Sequence, residues 1–121
     1  MAKVTYLDLF QVLEHAVMQF QFWHHQTTKY SEHVAIGGFY DGLFDMADGI
    51  LETYIGYEGR VNNDFSFKFT KYTTGSANNY LKFFLDKIDA MQKDITYTDI
   101  KNMLDEVKAL TNKTIYLLTL G

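Results

Sequence analysis

Imidazole and carboxylate side chains gather at two places along this chain. His24, His25 and His33 are three of its 4 histidines, and Asp48 and Glu52 stand one helical turn apart further on. Neutral imidazole suits borderline transition metals, and carboxylate oxygens suit harder ions. Imidazole with paired carboxylates is therefore donor chemistry for a metal site, provided the chain can bring the two groups together.

The elements that carry these residues read as helices. The chain has 121 residues, 47% hydrophobic and 17% aromatic, which is ample for one domain spanning 1–121 with its own core. It has no proline, which favours long uninterrupted helices, and no cysteine, which excludes disulfides and thiol chemistry. Tyr6, Leu9, Phe10, Leu13, Ala16, Val17, Phe20 and Trp23 recur at three-and-four spacing and predict a helix over 5–29. Ser31 is placed to cap a second helix, from about His33 to residue 57, with Ile36, Phe39, Leu43, Ala47, Ile50 and Tyr54 along its stripe. A third covers about 76–93, and a fourth, capped by Thr96 or Thr98, carries Ile100, Leu104, Val107, Leu110 and Leu117. Between the second and third helices lie 17 residues, GRVNNDFSFKFTKYTTG, against only a few in the other links. Short, long, short predicts an all-α, ferritin-like four-helix bundle with one long crossover between helices two and three. Within it Phe65, Phe67 and Phe69 alternate with polar residues, so an extended piece laid over the bundle is expected.

On a helical wheel with His33 at zero, Asp41, Asp45, Asp48 and Glu52 fall between about 60° and 120°. Gly38, Gly42, Gly49 and Gly56 follow between about 140° and 180°. Glycine inside a helix costs about 1 kcal/mol relative to alanine, and a close-packed neighbour could offset that cost. The neighbour is either another helix of the same bundle or, the preferred reading, a copy of this helix across a two-fold axis. Met18 and Phe22, opposite the core stripe of helix one, also suggest assembly. A run of acids on a helix flank is ordinarily a solvated face, but beside an interface Asp48 and Glu52 would need a cation or protons.

His24 falls on the core stripe, where a histidine with an ordinary hydrogen-bond partner is the common case, and it can approach His33 across the hairpin. His15 and His25 read as surface residues. Asp48 is about 22 Å from His33 along one helix, and Glu52 about 28 Å, so no single ion touches both groups within one chain. Two antiparallel copies of helix two would bring His33 of one near Asp48 and Glu52 of the other.

Net charge −4 and the absence of a basic run argue against nucleic acid as a partner. Asp8, Gln11 and Glu14 interrupt the N-terminal apolar residues, so neither a signal peptide nor a membrane span is expected, and a cytoplasmic location follows.

The pairing of Trp23 with His33, and of His33 with Asp48 and Glu52 at 15 and 19 residues further on, resembles the Dps family (DNA-protection proteins from starved cells) of the ferritin-like superfamily. The segment TYTDIKNMLDEVKALTNKTIYLL is similar to that family's last helix. The resemblance implies Fe²⁺ bound between subunits by His33, Asp48 and Glu52, oxidation by peroxide or O₂, and ferric mineral stored in a dodecamer. Phe22 and Gly37 stand where the family has its first histidine and a bridging aspartate; His24 is close by but points elsewhere on the helix, and replaces the lost ligand only if the helix end is distorted. These departures support a second expectation, a catalytically inactive structural or interaction protein, similar to reduced ferritin-like proteins encoded by tailed phages.

Overall fold

The computed structural model describes residues 3–121, and among them the regular structure is four helices: α1 Tyr6–Gln26, α2 Tyr30–Glu58, α3 Ser76–Lys93 and α4 Thr98–Leu117. The chain is an all-helical four-helix bundle. α1 starts in a capping box, in which Asp8 N–H donates to Thr5 Oγ1 (3.2 Å) and Thr5 N–H donates to Asp8 Oδ2 (2.9 Å). Two expected caps are replaced. α2 begins three residues before His33, so Ser31 lies inside the helix, and the N-cap Lys29 makes no side-chain cap bond. Tyr97 rather than either threonine caps α4. α2 ends at Gly59 and α3 starts after Gly75, both at φ 84°, a left-handed backbone that glycine adopts without a Cβ clash.

α2 packs against α1 on one side and α4 on the other, and α3 against α4 and α1. Fully buried Phe20, Phe39, Phe84, Leu43, Ile50, Ile88 and Leu104 fill the centre. Phe20 and Phe39 meet at 4.6 Å between ring centroids, and Phe39 reaches Phe84 across the diagonal at 6.0 Å.

The glycine ridge divides. A Cβ on Gly42 would lie 3.3 Å from Leu110 Cδ2, and one on Gly49 3.4 Å from Met103 Cε. Both glycines therefore face α4 of the same chain, and not the second copy preferred from the sequence. One heptad on, Ala35 and Leu117 border a common hollow. Small residues of α2 at 35, 42 and 49 thus oppose long side chains of antiparallel α4 at 117, 110 and 103, a seven-residue periodicity on both helices. Nothing comes within 4 Å of a Cβ on Gly38 or Gly56.

The crossover runs back along α1. Phe65 and Phe67 rest on Phe10 (5.3 and 6.3 Å between centroids), and Tyr72 reaches the far end, where its hydroxyl donates to Glu32. Side chains of α1 spaced about one turn apart hold its backbone. His15 Nε2 bonds Lys68 O (2.7 Å) and Trp23 Nε1 donates to Thr70 O (2.8 Å). Buried Gln19 acts as a surrogate peptide: Nε2 donates to Thr70 O (3.0 Å) and Oε1 accepts from Thr70 N–H (2.9 Å). Tyr72 N–H donates to Gln26 Oε1 (2.7 Å). Because the connection traverses the whole bundle, α3 starts at the end where α2 started, and the two run parallel.

The α2–α4 seam yields a direct test. Gly42→Leu should lower unfolding free energy by about 1–3 kcal/mol through overpacking against Leu110. Leu110→Ala added to it should recover part of the loss in urea denaturation; an additive double variant would place the side chains out of contact.

Candidate functional site

The first hairpin places His24 in the last turn of α1 and His33 in the first turn of α2. Its loop is held from within: Thr27 Oγ1 donates to Glu32 Oε1 (2.6 Å) and accepts from Lys29 N–H (3.3 Å). The two imidazoles stack, with centroids 3.7 Å apart and planes 18° from parallel. Tyr40 closes one side edge-on to His24 at 5.3 Å.

The hydrogen bonds determine the tautomers. His24 Nδ1 donates to His33 O (2.8 Å), and His33 Nδ1 donates to His24 O (2.9 Å). A carbonyl can only accept, so both Nδ1 atoms carry hydrogen, and in the neutral rings both Nε2 atoms keep a lone pair. A metal-binding histidine is commonly oriented in this way, its second nitrogen fixed by a backbone carbonyl.

Gly37 explains why the stack is possible. A Cβ there would lie 2.9 Å from His24 Cε1 and 3.1 Å from its Nδ1. The imidazole lies over bare backbone, in the volume that a side chain at 37 would need. Glycine at 37 is thus what admits the His24 ring.

Stacking limits what the pair can bind. A metal on imidazole lies in the ring plane at about 2.0–2.1 Å from nitrogen. Two nearly parallel planes, one ring thickness apart, share no such point, so His24 and His33 as placed do not hold one ion together. Among the described residues no group of three His, Asp or Glu side chains converges on a metal position. One chain therefore does not fit the iron centre that the resemblance implies.

The carboxylates occupy another part of α2. Asp41, Asp45, Asp48 and Glu52 are all exposed. Asp48, sharing a hydrogen bond with Glu52 and repelling its charge, raises the Glu52 carboxyl above the ordinary value. Across the helix pair Glu14 is raised too, first by burial and then by the charge of Asp48. Glu14 was not anticipated from the sequence, because only the α1–α2 packing reveals that its position faces Asp48.

His15 is a second correction. It does not stand free on the surface: Nδ1 lies 2.7 Å from Tyr80 Oη, and the ring stacks on Phe69 at 5.0 Å and on Tyr80 at 5.7 Å. With Nε2 donating to Lys68 O, Nδ1 of neutral His15 accepts the Tyr80 proton. Burial pushes the Tyr80 hydroxyl well above its ordinary value, so it remains a donor. His15 thus anchors the crossover. His25 is exposed, as expected, and Met18 and Phe22 are exposed apolar residues.

Gly37→Ala should displace the His24 ring and lower stability by about 1–3 kcal/mol, a loss that Gly38→Ala, whose Cβ meets no atom of its own chain, should not show. Thermal melts of the pair check this, and similar shifts for both would refute the close approach. Asp48→Asn should lower the Glu52 pKa toward the ordinary carboxylate range, read by NMR titration. The raised value means that the ionised pair opposes folding above the Glu52 pKa. That opposition fades as pH falls through it.

No curated protein and no solved structure matches the chain. Residues 24–118 match the family model described as a family of unknown function, DUF5856, a span that takes in His24, His33, Gly37 and the α2–α4 seam. That span covers most of the sequence, and the chain belongs to DUF5856.

Proposed function

We propose that this chain is a subunit of a ferritin-like, Dps-type homo-oligomer whose inter-subunit metal centre is degenerate. It assembles with itself and does not oxidise iron efficiently. The reading is supported by the parallel α2 and α3 joined through one long crossover, which is the ferritin-like plan. The single observation that carries the chemical half is the histidine stack over Gly37: packing and backbone hydrogen bonds occupy the place where the resemblance puts ligands. Gly38 and Gly56, open within the chain, carry the assembly half. Gly38, inside the helix and without a neighbour in its own chain, costs stability of about 1 kcal/mol, and Gly56 in the last turn adds to the bare flank; a second copy of α2 approaching there would offset the cost.

Weak metal binding is the second reading, and one observation favours it. His33 Nδ1 is committed to a carbonyl, so its Nε2 lone pair is left for a ligand. Asp48 and Glu52 of a second, antiparallel copy would supply the oxygen donors.

The purified chain should have a mass several times the 14.1 kDa of one copy by light scattering, and Gly38→Leu should reduce it. Fe²⁺ should oxidise in air no faster with protein than without. A single-copy mass for the native chain overturns the assembly reading. Rapid oxidation that Glu52→Ala abolishes overturns the degenerate centre.

A further inference from the structure

The crossover has two edges, and α1 uses one of them. In extended chain the N–H and C=O of one residue point to the same edge, and those of the next residue to the other. Lys68 O, Thr70 N–H, Thr70 O and Tyr72 N–H all go to α1 side chains. Phe65, Phe67, Phe69 and Lys71 therefore turn their peptide groups to the opposite edge. Among the described residues no hydrogen bond reaches the N–H or C=O of Phe67, Phe69 or Lys71. Such an edge is a template for another extended strand.

We infer that this edge pairs antiparallel with the same segment of a second copy, about a two-fold axis through Phe67. The occupant follows from the side chains. With Phe67 opposite its counterpart, Phe65 meets Phe69 of the second copy, each pair exchanging both hydrogen bonds, and aromatic cross-strand pairs are favourable. On the outer face Lys68 meets Ser66, and Asp64 lies diagonal to Lys68 of the second copy; on the inner face, beyond the phenylalanines, Lys71 meets Asn63. No like charges oppose. An axis through Lys68 would set the two Lys68 side chains against each other and is disfavoured. Met18 and Phe22, both exposed, border the same hollow as Phe69, so apolar surface adjoins the edge. The contact is distinct from the α2 flank of Gly38 and Gly56. An assembly larger than a dimer that is built from two-fold contacts alone needs two different ones.

Ser66 is exposed and makes no hydrogen bond among the described residues, so charge can be placed there without disturbing the fold. Ser66→Lys opposes Lys68 twice across the axis and should weaken association roughly fivefold; Ser66→Glu should strengthen it comparably. Backbone amides give the second measurement, on the full native chain by NMR hydrogen exchange. Phe67 and Phe69 amides should exchange about tenfold more slowly at high than at low protein concentration. Thr70 and Tyr72 amides, bonded to Gln19 and Gln26, should be protected at both. Association unaffected by either Ser66 variant, with Phe67 and Phe69 amides exchanging freely, would show that Lys68 and Lys71 keep the edge unpaired and would overturn the inference. Should the mass still exceed one copy and fall with Gly38→Leu, the inference fails while the assembly reading stands.

Discussion

α2 is approached closely on two flanks, and the fold depends on its small residues permitting this. On one side the His24 ring lies over Gly37; on the other, Leu110 and Met103 of α4 rest against Gly42 and Gly49. Each glycine weakens the isolated helix by about 1 kcal/mol, since an unfolded glycine has more conformations to lose. Dispersion attraction at short interhelical distance offsets that loss, and a Cβ at these positions would hold the neighbours too far away for it. The bundle thus has a helix of low intrinsic propensity at its centre, stable only in the company of its neighbours.

The crossover is the second constraint. An extended segment without a strand partner must satisfy its peptide groups elsewhere. α1 provides for this with side chains about one turn apart, of which Gln19 is the most specific: an amide offering both a donor and an acceptor to Thr70. Trp23 and His15 contribute an N–H each while their rings cover the core. By holding the connection along the full length of α1, these residues determine that α3 runs parallel to α2. They also leave the other edge of the segment turned outward, so the bond pattern that sets the topology creates the surface proposed for self-pairing.

At the first hairpin, packing and ligand chemistry compete for the same atoms. Two Nδ1–H groups, each bonded to the carbonyl of the other residue, cross-tie the ends of α1 and α2 where the loop is short. The stack that results keeps both Nε2 lone pairs but sets the ring planes so that no ion lies in both. The acidic stripe of α2 lies far along the helix and is solvated, its internal repulsion visible in the raised Glu52 carboxyl. Within one chain the arrangement favours a structural role for His24 over a shared metal.

Helix number, helix limits to within a few residues, the apolar faces and the long connection were legible in the sequence, because periodicity records which side of a helix meets water. The approach of His24 to His33 was also legible, since a short loop dictates which turns meet. The identity of the neighbour at each glycine was not: Gly38 and Gly42 lie close together on a helical wheel, yet one meets open space and the other Leu110. Nor were the burial of Gln19 and the packing around half-buried His15 and Glu14, polar residues whose surroundings come from segments distant in the chain. Local sequence determines which faces are apolar, because that depends on residues a turn apart. Only tertiary structure decides which faces meet, because that depends on the path of the crossover and the register between helices.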